Sequence, residues 1–206
     1  MQYLFWGINK PGIKAQRAAI IQTHWDYIDR FRDTLIARGP VIEEDDPGNV
    51  LGSIHVVDLS DDNAANDFVN NEPFAKAGLY ESIIMDHFQL ELDRTQFEFK
   101  SVGDNPRFFA YCCAKDASSS PDEELSRAHI DYVNGFDKHM ICHGAILGPD
   151  LEWQGKAFFL EFSSVDKVKK ILTGDPFASA GYYKQKIIHG WAMGGPENLN
   201  AAGALD

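Results

Sequence analysis

Two histidines and two acids recur in this sequence with nearly the same spacing. His24 is followed by Glu72 and His129 by Asp175, and each acid stands directly before a Pro-Phe-Ala segment. An imidazole next to a carboxylate can serve as a general base near neutral pH, because the carboxylate orients the ring and stabilises its charged form. The candidate catalytic pairs are therefore His129 with Asp175 and His24 with Glu72.

Each histidine falls on an apolar helical stripe. The spacing predicts a single buried face per helix, made of Ile20, His24, Tyr27, Ile28, Phe31 and Leu35 in the first helix and of Leu125, His129, Tyr132, Val133, Phe136 and Met140 in the second. A buried imidazole tends to stay neutral because desolvation disfavours its charged form. The alternative is a structural role, in which the histidine is a core residue with its hydrogen bonds made inside the protein. The recurrence of histidine at the same place in both helices favours a functional role instead. Asp26 and Asp131 lie two positions further on and are expected to face solvent.

The recurrence extends over the whole chain, which indicates a duplication. The matching anchors are YLFWG and FFAYC, THWDY and AHIDY, ARGPVI and CHGAIL, GSIHVVDL and GKAFFLEF, and the EPF and DPF segments. Each copy predicts a strand, a long helix (about 15–37 and 121–141), and two strands (39–44 with 52–59, and 144–148 with 156–162). A shorter helix (61–70 and 164–172) and a last strand (80–90 and 183–193) follow. This βαββαβ order is ferredoxin-like.

The boundaries that follow are repeat 1 at 1–98, a linker at 99–106, repeat 2 at 107–193 and a flexible tail at 194–206. Ser120 and Pro121 are the predicted cap and first residue of the second long helix. The alternation in LELDRTQFEF (90–99) predicts an extra strand between the copies. A lone ferredoxin-like sheet leaves one face bare, so the two sheets are expected to pack face to face as a homodimer's would.

This topology brings further acids to the end of the fold where the histidines lie. The exit of each shorter helix carries Glu72 or Asp175, and the central hairpins carry Asp45 and Asp46 in one copy and Asp150 in the other. Proline after an acid ends a helix, and Gly78 and Gly181 are expected at positions that need the conformational freedom of glycine. Neither the proline nor the glycine requires an acid at the preceding position, so we interpret Glu72 and Asp175 as functional.

Composition excludes several classes of protein. The chain has 206 residues and a formal charge of −12, which argues against nucleic acid and anionic membrane surfaces as partners. Three cysteines without finger spacing disfavour a disulfide framework or a zinc site, and a reducing cytoplasm fits. No targeting segment or membrane span is recognisable.

Cofactor motifs are also missing from the sequence. It has no G-x-G-x-x-G, P-loop or G-x-S-x-G motif. His139 and His143 are four apart and would share a helical face, but no third metal ligand is evident. We expect neither a metal nor an organic cofactor.

The same residues resemble the YCII-related family of small, ferredoxin-like, dimeric α/β-barrel proteins. The matching features in the two copies are His24, Gly39-Pro40, Gly52, EPFAKAGLY and Phe88, and His129, Gly144, Gly155, DPFASAGYY and Trp191. The resemblance implies an α+β fold in which two fused repeats form an intramolecular dimeric barrel. Copy 1 departs from the family pattern with Glu72, and copy 2 with Gly144-Ala145. The family's arginine three residues before the histidine is absent from both.

The resemblance also implies a function. Family members that are enzymes act without metal or organic cofactor on small, often aromatic or quinol-like molecules, for example by dehydrochlorination. We therefore expect a lyase or isomerase, and the alternative is a non-catalytic small-molecule binder or accessory protein. The chain is also a possible homo-oligomer. The candidate substrate-binding residues are Tyr27, Tyr132, Phe74, Phe177, Trp6, Asp45 and Asp150.

Overall fold

The computed structural model of the chain describes residues 1–116 and 120–195. These residues fall into two compact units, one made of Met1–Phe88 with the residues from Ala192 on, and the other of Gln89–Trp191. Most of the C-terminal tail predicted from the sequence, residues 196–206, lies outside the described part. No helix among the described residues is long and apolar enough to cross a membrane.

Repeat 1 is a four-stranded antiparallel sheet with its helices inserted in ferredoxin-like order. Its elements are β1 (Gln2–Asn9), α1 (Lys14–Asp29), β2 (Leu35–Ile42), β3 (Val50–Asp58), α2 (Asp62–Asn71), the short α3 (Pro73–Lys76) and β4 (Tyr80–Leu90). Strand β1 pairs with both β3 and β4, and β2 pairs with β3. The spatial order is therefore β2-β3-β1-β4.

Repeat 2 has the same plan. Its elements are β5 (Arg107–Ala114), α4 (Glu123–Asn134), β6 (Met140–Leu147), β7 (Trp153–Glu161), α5 (Val165–Gly174), the short α6 (Pro176–Ser179) and β8 (Tyr183–Trp191). Strand β5 pairs with β7 and β8, and β6 pairs with β7, all antiparallel. The predicted α+β fold of two ferredoxin-like repeats is confirmed.

Alternating strand residues and the inner faces of the helices build a core in each unit. In repeat 1, Tyr3, Phe5 and Val57 from the sheet meet Ile28 and Phe68 from α1 and α2. A corresponding cluster in repeat 2 comprises Phe108, Ala110, Val133, Phe158, Leu160 and Leu172, among others. Removal of this apolar surface from water is the main stabilising term, and it fixes the helix faces that carry the histidines.

The long helices are shorter than the apolar stripe predicted. Helix α1 ends at Asp29 and α4 at Asn134, and each is followed by a 3-10 turn, Arg32–Thr34 or Asp137–His139. Leu35 and Met140, placed on the stripe from the sequence, are instead the first residues of β2 and β6. The helix and the strand that follows it both bury apolar residues, so the apolar pattern continues from one to the other. Periodicity alone therefore did not mark the end of the helix.

Two further local predictions are wrong. Helix α4 is capped by Asp122, whose carboxylate accepts the Leu125 N–H at 2.8 Å, and not by Ser120. Residues 91–106 form turns and bends instead of an extra strand. The short helices α3 and α6, absent from the prediction, follow the two candidate acids directly.

Candidate active site

In repeat 2, α4 and the α5–α6 junction bring His129 and Asp175 into contact. The Nδ1 atom of His129 lies 2.8 Å from Oδ1 of Asp175, and both side chains are 2% exposed. The imidazole stacks on Phe177, with ring centroids 4.1 Å apart and planes 7° from parallel. Stacking and the hydrogen bond together hold the ring in one orientation.

Asp175 receives three hydrogen bonds. Besides His129, its Oδ1 accepts the Phe177 N–H at 2.9 Å and its Oδ2 accepts the Tyr183 hydroxyl at 3.0 Å. A carboxylate surrounded by donors is ionised and only accepts, so the proton of the shared contact belongs to Nδ1 of His129. The Nε2 atom of His129 then carries a lone pair, and it is buried with no hydrogen-bond partner among the described residues.

Repeat 1 holds the same pair with a longer acid. His24 Nδ1 lies 2.6 Å from Oε1 of Glu72, and the imidazole stacks on Phe74 at 4.2 Å. Burial lowers the pKa of His24, and the hydrogen bond and charge of Glu72 offset this only in part. His24 is therefore neutral at pH 7 and has a ring nitrogen that can accept a proton.

The two acids also have a structural task, which corrects the interpretation from the sequence. Glu72 is the N-cap of α3 and accepts the N–H groups of Phe74 and Ala75, while Asp175 caps α6. Helix N-termini prefer such acceptors, so an acid before Pro-Phe-Ala does not by itself require a function. The glycines behave as predicted: Gly78 and Gly181 follow the short helices with φ of +64° and +78°, a conformation that favours glycine.

Repeat 1 surrounds its pair with positive and neutral groups. The Arg17 guanidinium lies 4.0 Å from the Phe74 ring centre and donates to Asn9 Oδ1 at 2.9 Å and Ser53 Oγ at 3.0 Å. Since the His24 ring is also close to that ring centre, Arg17 and His24 must lie on opposite faces of Phe74. Arg17 is a buried cation whose nearest partners are uncharged, and burial lowers its pKa.

A second histidine lies next to this pair. The His55 ring on β3 is 5.4 Å from that of His24, and it is buried. Burial holds the pKa of His55 well below its usual range, and His24, when it is protonated, and the charges of Arg38 and Arg17 lower it further. Repeat 1 therefore contains two neutral imidazoles side by side.

Repeat 2 places a buried ion pair where repeat 1 has Ser53. Lys156 is 1% exposed and donates to Oε2 of Glu91, while Nδ1 of His143 lies 3.4 Å from the same oxygen. Burial would raise the pKa of Glu91, but the nearby His143 ring and the charge of Lys156 outweigh it and lower the pKa to about 2. Lys156, the buried cation of repeat 2, is thus paired with a carboxylate, whereas the nearest partners of Arg17 in repeat 1 are uncharged.

Tyrosines at the start of the last strand also differ between the repeats. Tyr183 donates to Asp175, whereas Tyr80 interacts with Arg17 and Ser53. The residue beneath the ring explains the difference. A Cβ on Gly7 would lie 2.4 Å from the Tyr80 ring, so this position of the tyrosine needs glycine there. The aligned residue in repeat 2 is Cys112, whose side chain would occupy that space. Burial and the negative charge of Glu72 raise the pKa of Tyr80, and burial and Asp175 raise that of Tyr183, so both hydroxyls stay protonated.

Most of the predicted substrate-binding residues have other contacts. The Tyr27 hydroxyl donates to the Phe68 carbonyl at 2.9 Å and that of Tyr132 to the Ile171 carbonyl at 3.0 Å, which ties α1 to α2 and α4 to α5. Asp45, Asp46 and Asp150 lie in exposed hairpins, and Trp6 is buried in β1. Of the predicted set, the structure brings Phe74 and Phe177 against the histidines.

His139 and His143 do not share a helical face. His139 ends a 3-10 turn and its Nδ1 lies 2.9 Å from the Glu161 carbonyl oxygen, while His143 is in β6. Within residues 1–116 and 120–195, no group of three or more His, Cys, Asp or Glu side chains could hold a metal ion.

Sequence reasoning assigned no role to several residues that contact the pairs or lie close to them. Arg17 precedes His24 by seven residues and so shares its helical face, a signal that was readable. Side chains two residues apart in a strand share a face, so His55 lies on the same face of β3 as Ser53 and Val57. This signal for His55 was readable as well. Tyr183 ends the recurring DPFASAGYY segment, so its position was readable although its contact with Asp175 was not. Lys156 gave no such signal, because its partner Glu91 is 65 residues away in the chain.

The comparison with protein families agrees with the duplicated site. The profile of the YCII-related domain matches the chain twice, at residues 1–89 and 107–192. The chain belongs to the YCII-related family. Each matched segment of this YCII-related protein contains one complete histidine–carboxylate pair.

Several solved structures resemble this YCII-related chain. A 5-chloro-2-hydroxyhydroquinone dehydrochlorinase from Burkholderia phenoliruptrix, complexed with 2,5-dihydroxybenzoquinone, is 24% identical. That match covers 43% of this chain and 94% of the other with a TM-score of 0.41. A mutant chlorite dismutase from Candidatus Nitrospira defluvii has 9% identity, coverage of 98% and 95%, and a TM-score of 0.62. A heme-binding protein from Thermus thermophilus has 13% identity, the same coverage and a TM-score of 0.54.

The two matches over nearly the full length establish the fold. The chlorite dismutase and the heme-binding protein match nearly the full length of the YCII-related chain, which confirms the predicted dimeric α/β-barrel fold class. At such low identity they show the fold alone. This fold carries small-molecule enzymes and binders. None of the curated proteins matches the sequence at a significant level.

Proposed function

We propose that this protein is a cofactor-independent acid–base enzyme, a lyase or isomerase, that moves a proton on a small aromatic or cyclic substrate. One observation carries the proposal: His129 is fixed by Asp175 through Nδ1, and its Nε2 is buried with no partner among the described residues. A buried acceptor without a partner costs about 1–3 kcal/mol. A substrate O–H or C–H group brought to Nε2 would remove that cost.

The reaction starts with transfer of a substrate proton to Nε2 of His129. The bonding electron pair stays on the substrate as a phenolate or enolate, and the ionised Asp175 stabilises the imidazolium. In an isomerase the imidazolium returns the proton to a different atom. In a lyase the electron pair expels an anionic leaving group such as halide, and the proton on His129 balances the loss of HX.

His24 with Glu72 is the second candidate base. Its arrangement is equivalent, with a neutral imidazole held by a carboxylate and stacked on a phenylalanine. We assign the chemistry first to His129, because Asp175 keeps the acid of the family pattern and also accepts a hydroxyl from Tyr183.

The aromatic side chains near His129 favour an aromatic or cyclic substrate. Trp153 lies edge to face with Phe177, their ring centroids 5.6 Å apart, and contacts Tyr182 and Tyr183. Aromatic side chains bind flat rings by offset or edge-on packing. Membership of the YCII-related family, whose enzymes act on such molecules, points the same way.

A non-catalytic binder is the second candidate. It is favoured by the capping role of Glu72 and Asp175, which gives both acids a reason to be present without catalysis. A binder would use the same aromatic side chains and the same Nε2 acceptor.

Deuterium exchange separates the two candidates. The full chain is incubated in D2O with substituted hydroquinones, chlorinated hydroquinones and cyclic ketones, and the C–H signals are followed by NMR together with halide release. We expect catalysed exchange or elimination that falls by about 10²- to 10⁴-fold in His129→Gln. His139→Gln is the matched control, because its ring stacks on Phe162 at 4.4 Å outside the pair.

The outcomes are distinct. Catalysis that survives in the double variant His24→Gln/His129→Gln, with the fold intact, would show that neither histidine is the base. Ligand binding that depends on His129, with no exchange for any compound, would establish the binder.

A further inference from the structure

We propose that His55 forms, in repeat 1, a binding subsite for a neutral hydroxyl group carried by a small aromatic or aliphatic ligand. Repeat 2 has no counterpart, because Phe158 stands at the aligned position. The two repeats therefore differ in the ligands that they accept. This proposal concerns binding and does not depend on turnover at His129 or His24.

His55 opens onto a recess in repeat 1. The recess encloses about 10 Å³, which is room for one water molecule or one ligand oxygen. Its polar lining is His55, Glu72 and Tyr80, and its apolar lining includes Phe5, Phe68, Val69 and Ile83. The shape suits a hydroxyl oxygen in the recess, with the apolar body of the ligand at its mouth.

Hydrogen-bonding capacity at His55 is unused. The described residues make no hydrogen bond to either ring nitrogen, although the residue is only 4% exposed. A neutral imidazole has one donor and one acceptor. A hydroxyl group has the same two capacities and can satisfy both.

Charge around the recess selects against ionised ligands. The Glu72 carboxylate lines the recess itself, whereas the Arg17 and Arg38 guanidinium groups that lower the pKa of His55 do not, so an anion in the recess would meet a carboxylate first. A cation would meet the buried guanidinium of Arg17 beyond Tyr80. Removing either from water without a partner costs far more than burying a hydroxyl, so an uncharged ligand is favoured.

Repeat 2 shows how this position behaves without a histidine. In the strand registers, His55 is opposite Phe5 and Phe158 is opposite Ala110. The Phe158 ring lies 6.3 Å from His129, close to the 5.4 Å between His55 and His24. The same fold thus accepts a phenylalanine at this position when the small Ala110 is opposite. Repeat 1 has the larger Phe5 there, so His55→Phe needs a second variant beside it.

The test compares ligands that differ in one group. Binding of 4-fluorophenol, which is uncharged at neutral pH, is measured against 4-fluorotoluene and 4-fluorobenzoate by ¹⁹F NMR with the full chain. Amide shifts of Gly7 and Val69 locate the ligand. In His55→Phe we expect the affinity ratio of fluorophenol to fluorotoluene to fall about threefold to tenfold, the size of one hydrogen bond.

Two further variants complete the design. His87→Phe removes a histidine of the same repeat that lies against Tyr3 and Asp62, and it should leave the ratio unchanged. His55→Gln keeps a donor and an acceptor and should retain part of the preference, which gives a second test if His55→Phe does not fold.

Three results would overturn the proposal. They are an unchanged ratio in His55→Phe, fluorobenzoate as the tightest of the three ligands, or no shift at Gly7 and Val69 with fluorophenol. Since none of these readouts involves turnover, they are independent of the deuterium-exchange result.

Discussion

The Tyr183 hydroxyl donates to Oδ2 of Asp175 at 3.0 Å, so the carboxylate that holds His129 is itself held from behind. In repeat 1 the aligned tyrosine, Tyr80, crosses Gly7 and interacts with Arg17 and Ser53 instead. The two repeats share a histidine–carboxylate pair and differ in what supports it. Five predictions rest on these contacts and on the charges around them.

Tyr183→Phe should loosen Asp175. A hydrogen bond to a charged group contributes about 1.5–3 kcal/mol, so we expect a loss of this size in the free energy of unfolding by urea. The ¹⁵N signals of His129 should shift as its partner gains freedom. Tyr80→Phe is the matched control, and it should leave those signals in place. A shift of equal size in both variants would contradict the assignment.

Asp175→Asn and Asp175→Ala should separate the two roles of the acid. Asparagine still caps α6, whereas alanine does not, and loss of a cap costs about 1 kcal/mol. We therefore expect Asp175→Ala to be less stable than Asp175→Asn by about that amount. Both should lose the Nδ1–H tautomer of His129, seen by ¹⁵N NMR, since the ionised acceptor is gone. Retention of that tautomer in Asp175→Asn would show that the charge does not set it.

His55→Phe should flatten the dependence of stability on pH. The pKa of His55 is held well below its usual value in the folded protein, so below about pH 6.5 the unfolded chain binds more protons. The contribution of neutral His55 to the free energy of unfolding is therefore complete above that pH. It declines as pH falls, by at most about 1.4 kcal/mol per pH unit. Urea unfolding from pH 8 to 5 should give a shallower slope for His55→Phe than for the wild type. His24, whose pKa is also lowered, should still contribute a slope of the same sign.

Glu91→Gln should destabilise repeat 2 by leaving Lys156 buried without a counter-ion. Breaking a buried pair costs about 3–5 kcal/mol, whereas replacing both partners is often far less costly. The double variant Glu91→Gln/Lys156→Met should therefore recover much of the lost free energy of unfolding. Additive losses in this double-mutant cycle would exclude the coupling.

The same carboxylate should make the wild type sensitive to acid. Its pKa falls from 4.5 to about 2 on folding, so its stabilisation is present above pH 4.5 and is lost as pH falls towards 2. Glu91→Gln should remove this part of the acid-induced loss, measured by urea unfolding between pH 5 and 3.

Local patterns in the sequence determined the duplication, the ferredoxin-like order and the positions of both pairs. His24 and His129 are marked by helical spacing, and Glu72 and Asp175 by the Pro-Phe-Ala segment that follows them. Such signals survive in a single sequence because the physical cause, burial of one helix face or the end of one helix, acts over a few residues.

Tertiary structure alone decided what supports each pair. Whether a tyrosine reaches Asp175 or Arg17 depends on the side chain beneath it on a neighbouring strand, and Lys156 meets Glu91 across 65 residues of chain. The same holds for the single-oxygen recess at His55, which β1, β3, α2 and β4 enclose together. These contacts join residues far apart in sequence, where no local periodicity relates one to the other.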